Sequence, residues 1–519
     1  MAKKEDTPNK GHKHLFGSSE KSDFILNMTA DGAQKMCGVY IILAVIITAL
    51  AAIPAYFTQT VEEYTLEDGS VHYLSENFIF YAGAAVMLLG FVGYLIFMIA
   101  CSKKQVVLKD NKALFAPLAV MLLSAASCIT SLNLYTAVLG YLGRHEGIIT
   151  ILGYFGLFAV AFAVHSANRK IRIIDFVVGT GFVQAAVGIL QAVPATSSAM
   201  KNFFEYLYVG PGTDPSFYSL NDAAYYDGGI SQITGIYTHS RAASGFVTSP
   251  FALAAVLAVA FACAAAGATF DENKKRRVLY TIAAPVMAAA ACLTRVKPAV
   301  IGIIAAAVIV LILAVIAAVK KKERSAVVFA VIIMAVSGAC GGILFGTGAA
   351  DFRDEQVIFT DGFVMRSITY LGREDSEDTE KDIYTYLRDD GMYVAQQNPM
   401  LGTGPDNLSY EYSACGTITD RFYNEYVDLA ASRGIPCLIA YGIFLLVSVV
   451  KMAKGIKRFI GGETDWTVCA ASAAVLCYLI QAFFNTSWVN STLYLYIMLG
   501  LVWSGAGVLK SEKSKESKK

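Results

Sequence analysis

The chain has 519 residues, of which 55% are hydrophobic and only 16% charged, with a mean hydropathy of +0.52. That balance excludes an ordinary soluble enzyme and fits a polytopic helical membrane protein. A net charge of +1 gives no footing for nucleic acid, and ten cysteines without a CxxC pair give neither a zinc site nor a disulfide framework.

Residues 1–35 are polar and rich in Lys and His, and read as a disordered cytoplasmic tail. The apolar run after them is too long for a cleaved signal. About twelve apolar segments follow, each close to the ~20 residues that a helix needs to cross the hydrocarbon core. They centre on 36–57, 78–101, 113–133, 147–166, 171–193, 245–268, 277–294, 298–319, 325–347, 434–453, 466–484 and 489–509. The very short links within 147–193 and 277–319 predict antiparallel hairpins. The expected fold is an all-α integral membrane protein of about 12 transmembrane helices, with a large external loop between spans 9 and 10. Spans 1–9 occupy 36–347 with an external loop at 194–244, the large loop with amphipathic helices runs over 348–433, spans 10–12 occupy 434–509, and 510–519 is a cytoplasmic tail.

Orientation follows from Lys and Arg. The loops at 102–112, 167–172, 271–277, 320–324 and 454–459 are basic and fall on the side of the leader, whereas 58–77 is acidic and carries neither Lys nor Arg. This positive-inside pattern makes both termini cytoplasmic. Arg241, Arg295 and Lys297 are then cations on the opposite face. A cation there is a snorkelling anchor or an anion ligand, and the tight link holding Arg295 and Lys297 favours the ligand. Asp175 and Glu205 read as lying at or beyond helix ends, leaving the spans nearly free of charge. That argues against a translocation path.

The loop 194–244 is crowded with Tyr and Phe, suited to an interfacial belt or to stacking on sugars. In the second long loop, an amphipathic helix is expected from about Lys381 to Gln397, with Ile383, Tyr386, Leu387 and Val394 on the membrane surface. The adjacent Asp389 and Asp390 would point about 100° apart on a helix, which rules out a facing acid/base pair. The turn Pro399–Leu408, PMLGTGPDNL, is fixed by Gly and Pro, and no Lys-Ser/Thr helix follows, which excludes a Walker motif. Asp420 is the expected N-cap of a helix over 421–433, Gly434 its terminator, and Pro436 the start of the next helix.

The order PMLGTGPDNL, then FYNEYVDLAASRGIPCLIAYGIF, resembles the O-antigen ligase / O-antigen polymerase superfamily of membrane glycosyltransferases. The pattern there is a P-L-x-G-x-G turn, an H-N-x-Y-L helix and a G-x-P entry into a span. RAASGFVTSPFALA is similar to the family's Arg, Gly and Pro-Asn element through Arg241, Gly245 and Pro250, with Phe251 in place of Asn. LTRVKPAV is similar to its T-x-S-R-G-A element through Thr294 and Ala299. The resemblance covers roughly Gly235 to Ile443. It departs at Tyr423, where the family has His, and at Lys297, where the family has Arg.

The resemblance implies transfer of a glycan from a polyprenyl-diphosphate-linked donor to a glycan or lipid acceptor, at the outer face of a bacterial cytoplasmic membrane. Arg241, Arg295, Lys297 and Arg388 are the expected diphosphate ligands. His239, Tyr423, Asn424 and Glu425 are the expected catalytic group, with the acceptor proton going to His239, Glu425 or Asp420. No cofactor, metal or nucleotide sugar is expected; the partners are the two substrates, the bilayer and other glycan-assembly proteins. Two other readings stand beside this one. A multi-pass transporter or flippase of a polar or anionic solute is the first, and an inactive member of a glycan-assembly complex, prompted by Tyr423, is the second.

Overall fold

A computed structural model describes residues 28–51, 61–65, 71–75, 78–103, 106, 112–140, 145–192, 242–247, 249–321, 324–350, 383–408 and 421–506. His239, Arg241, Glu205, Asp420, the acidic run 374–382, most of the loop 194–244 and the tail 510–519 lie outside these residues.

The helices in chain order are α1 (Ala30–Leu50), α2 (Phe78–Ser102), α3 (Phe115–Ala126), α4 (Leu134–Leu139), α5 (Ile148–Phe162), α6 (Ala167–Ala192), α7 (Pro250–Phe270) and α8 (Lys274–Leu293). They continue with α9 (Lys297–Lys321), α10 (Arg324–Gly346), α11 (Ile383–Gln397), α12 (Glu425–Arg433), α13 (Ile435–Ile460), α14 (Thr467–Gln481) and α15 (Val489–Ala506). Each of the twelve apolar segments contains a helix. Among the described residues, nine helices are long and apolar enough to cross a membrane, while α5 and α14 are shorter apolar helices. Two strands, β1 (Val61–Thr65) and β2 (Val71–Ser75), pair antiparallel with Val61 opposite Ser75, inside a stretch read from sequence as a plain loop.

The bundle is built around α7. All 21 of its residues are buried, enclosed by α6, α8, α9, α10, α14 and α15. Its sequence, PFALAAVLAVAFACAAAGATF, is dominated by small residues. Small side chains let backbones approach in apolar surroundings, where helix association depends on close packing. The contact between α2 and α5 goes further. A Cβ on Gly90 would lie 2.1 Å from Gly153 Cα, and one on Gly156 would lie 2.3 Å from Gly90 O, so only glycine fits. The outer helices invert the usual order: α2 presents Leu88, Phe91, Leu95 and Met98 outward, and α9 presents Ile304, Val308 and Ile312. An exposed apolar band of this extent marks a lipid-facing surface.

The structure changes four expectations. The tail expected over 1–35 is overlapped by α1, which starts at Ala30 behind a Thr29 cap. The links 163–166 and 294–296 do not set equal hairpins: α5 packs on α2 and α15, whereas α6 packs on α8, α7 and α1. Glycine-lined contacts recruit α5 elsewhere, and these outweigh chain proximity. Asp175 lies inside α6 rather than at its end, accepting a 2.5 Å hydrogen bond from Tyr280 beside the Arg276–Asp271 ion pair. Lastly, α11 does not rest on a bilayer through Leu387 and Val394, because both are buried, with α11 packed against α12. A Cβ on Gly391 would meet Val427 at 2.4 Å and Phe422 at 2.6 Å, which shows how closely α11 is seated.

Candidate active site

At one end of the bundle the short α12 is held on three sides. Its N-cap is Asn424, not Asp420: Asn424 Oδ1 accepts from the amides of Tyr426 and Val427, and its Nδ2 donates to Phe483 O at 3.1 Å. The Glu425 amide donates to Ala482 O at 2.9 Å. These bonds fix the start of α12 to the link between α14 and α15. The Gly-Pro turn clasps its other end. Thr403 N donates to Ala431 O, Gly404 N to Ser432 O and Ile435 N to Pro399 O, at 3.0, 2.8 and 2.8 Å. Gly402 and Gly434 have φ of +69° and +84°. Cβ atoms there would approach Ser432 C and Met400 O to 2.4 Å, so both the turn and the helix stop require glycine.

This clasp surrounds a cavity of about 40 Å³, lined by Glu146, Asp406, Arg421, Glu425, Asp428 and Arg433 among others. That is room for a water-sized group. The Arg421 guanidinium is its hub. It lies 2.5 Å from Glu146, 3.3 Å from Asp406 and 3.3 Å from Ser487 Oγ. Glu146 also accepts from Tyr154 at 3.0 Å and from Ser487 at 3.2 Å. Asp428 accepts from Thr486 Oγ1 at 2.5 Å and from the Phe422 amide at 2.8 Å. Asp406 accepts from the Glu146 amide at 3.3 Å. Burial opposes the charge on Arg421, and the surrounding carboxylates more than offset that. Burial pushes the Asp428 carboxyl up, with Arg421 and Thr486 acting against it.

Glu425 stands apart from these satisfied groups. It is nine-tenths buried and lines the cavity, and its Oε2 has no hydrogen-bond partner. Burial pushes its pKa up to about 7, against partial relief from Tyr478 and Arg433. A carboxyl poised near neutrality, with one oxygen unsatisfied in a cavity, can exchange a proton at working pH.

The other expected site residues are distributed around this cavity. Tyr423 has a φ of +49° and sets its ring against Phe251 in a tilted contact with centroids 4.7 Å apart, outside the cavity lining. Asn424 spends its side chain on capping and on Phe483. Arg388 is exposed on α11, 3.3 Å from its neighbour Asp389, and does not line the cavity. Arg295 and Lys297 occupy the α8–α9 junction, where Arg295 has a φ of +58° and donates to Ala349 O at 3.4 Å. Separate contacts from the residues before α7 and from its first turn reach this junction and α12. Ala243 N donates to Leu293 O at 2.9 Å, Asn485 Nδ2 donates to Phe251 O at 2.8 Å, and Phe251 carries Tyr423.

The sequence reading did not single out Arg421, Glu146 or Asp406. Arg421 and Glu146 are 275 residues apart, so no spacing could link them. One usable sign was present: Arg421 is a lone cation directly before the FYNEYVD helix. No curated protein matches the chain. Residues 282–442 match the family model described as O-antigen ligase. That stretch holds Arg295, Lys297, the Gly-Pro turn, Arg421 and α12, whereas Glu146 and Ser487 reach the cavity from outside it. Over that stretch, about a third of its length, the chain is similar to the O-antigen ligase family, which supports the resemblance to the O-antigen ligase / O-antigen polymerase superfamily.

Proposed function

We propose that the protein is a glycosyltransferase of the ligase or polymerase type, acting at the outer face of a bacterial cytoplasmic membrane on a polyprenyl-diphosphate-linked glycan. In this reading the twelve apolar helices all span, both termini are cytoplasmic, and the long segment between α10 and α13 is external. The observation that carries the proposal is Glu425, a buried carboxyl with a free oxygen in a cavity of otherwise satisfied polar groups.

The acceptor hydroxyl gives its proton to Glu425 as its oxygen bonds to the donor's anomeric carbon. The bond from that carbon to the diphosphate breaks, and the electron pair leaves with the diphosphate. Arg295 and Lys297, with Arg241, take up the negative charge that develops. A general base contributes about 10²–10⁴-fold, so Glu425 supplies what Tyr423 cannot in place of the family's His. Tyr423 and Asn424 position α12, and Arg388 adds a cation at the rim.

The test is transfer from an undecaprenyl-diphosphate glycan in proteoliposomes. Glu425→Gln and Arg241→Ala should each lose most turnover while keeping the elution profile of the parent. Full turnover in Glu425→Gln would remove the base assignment.

A further inference from the structure

The cavity that holds Glu425 is small and stiff. Its volume of about 40 Å³ admits roughly two or three atoms of the size of a water oxygen, at about 10–15 Å³ each. Ile151, Tyr154, Leu408 and Tyr496, all buried, form its apolar walls. The rings of Tyr154 and Tyr496 stack at 5.3 Å, and Tyr154 is tied through Glu146 to Arg421. Walls packed and bonded in this way do not retreat to admit a bulky guest.

One face of α12 supplies much of the polar lining. Glu425, Asp428, Ser432 and Arg433 follow the i, i+3, i+7, i+8 spacing of a single helical stripe. Two of the four are committed. Asp428 accepts from Thr486 and from the Phe422 amide, and Ser432 donates to Asp428 O at 2.6 Å. The other two are not. Glu425 Oε2 has no partner, and the half-buried Arg433 guanidinium makes no hydrogen bond or ion pair among the described residues. Side chains on a helix lean toward its N-terminus, so Arg433, the last residue of α12, leans back toward Glu425, the first.

A hydroxyl fixed directly to a sugar ring can reach Glu425 only if its ring carbon and that carbon's neighbours enter too, and the cavity is too small for them. A hydroxymethyl arm carries its oxygen one bond beyond the ring, as one carbon and one oxygen. We infer that the acceptor attacks through a primary hydroxyl on such an arm, which enters the cavity alone and is gripped between Glu425 and Arg433. The hydroxyl donates its proton to Glu425 Oε2 and accepts from the Arg433 guanidinium, which leaves a lone pair for the donor's anomeric carbon. The inference rests on the glycosyltransferase reading above. It adds the class of acceptor hydroxyl and a second acceptor-binding residue.

The experiment is linkage analysis of the glycan that the parent protein makes from an undecaprenyl-diphosphate glycan. The liposomes are made from total bacterial envelope lipid, which offers lipid acceptors beside the glycan itself. The acceptor sugar should carry its new bond at the hydroxymethyl oxygen. A new bond at a ring hydroxyl would overturn the inference and leave the transferase reading standing, whereas absence of any transfer would remove both. Arg433→Gln checks the grip separately. It should raise KM for the acceptor so identified about 10–100-fold, the worth of a hydrogen bond from a charged donor, with little change in kcat. Arg433→Lys should recover part of that loss. A cation present only to favour the C-terminal end of α12 would change the melting temperature and leave KM alone. An unchanged KM in Arg433→Gln would therefore overturn the role given to Arg433.

Discussion

Two polar clusters sit at the same end of the bundle and are built on opposite plans. The Arg421 cluster is closed: one guanidinium is surrounded by Glu146, Asp406 and Asp428, and the carboxylates are met by hydroxyls and backbone amides. The α8–α9 junction is cationic and carries no carboxylate of its own, with Arg295 and Lys297 half-buried two residues apart and Arg295 donating to Ala349 O. A site rich in carboxylates repels a diphosphate, and a cationic junction cannot take a proton from a hydroxyl. In the proposed reaction the closed cluster therefore suits the acceptor and the junction the donor.

The sharpest way to break this division is Arg421→Ala. Three buried acidic groups would lose their shared cation, and removing one partner of a buried pair costs about 3–5 kcal/mol. Thermal unfolding of the purified protein should show that loss whether or not substrate is present. An unchanged melting temperature would mean that the hub does not hold the cluster together.

Glu425→Gln comes next and separates chemistry from stability. Turnover should fall by about 10²–10⁴-fold. Stability should move the other way at alkaline pH. The folded pKa of Glu425, about 7, lies above its ordinary value of 4.5. Its stabilising contribution is therefore complete below pH 4.5 and lost as pH rises through 7, a change of about 3 kcal/mol. Glutamine carries no such penalty, so the variant should melt higher than the parent at pH 8. In the parent, kcat/KM should rise with pH through about 7 as the base loses its proton. A flat profile there would remove Glu425 from the reaction.

On the donor side, Lys297→Gln should lower kcat/KM about 30-fold, the worth of one lost charged contact. Lys297→Arg should retain or improve it, because the guanidinium fork binds phosphate in a bidentate manner. Neither change should move the pH profile; a shift would show that the two clusters are not separate. The smallest effect is expected for Thr486→Val, which removes a hydroxyl from Asp428 and should cost about 1 kcal/mol of stability with little change in kcat.

The helices were readable because each apolar run is long and bounded by basic or Gly-Pro segments. The partners of those helices were not. Leu387 and Val394 mark an apolar stripe on α11, but a stripe does not say whether it faces lipid or protein, and here it faces α12. The cap of α12 was misplaced because Asp420 and Asn424 are both good caps and nothing local decides between them. Asn424 prevails because its amide also reaches Phe483. Of the candidate site, the motifs in the sequence pointed to Glu425 and the α8–α9 cations. It concealed Glu146, which meets Arg421 only once α5 has packed against α15.

The complete enclosure of α7 has a consequence for how the chain is made. This helix leaves the ribosome well before α14 and α15 exist, yet they form part of its wall. Until they arrive, its apolar surface has only lipid and its earlier neighbours to face. The centre of the molecule is thus the last part to close, although it is synthesised near the middle. A chain cut short before Thr467 would retain most of its apolar helices but leave one side of its innermost helix uncovered, a state that membrane quality control can recognise.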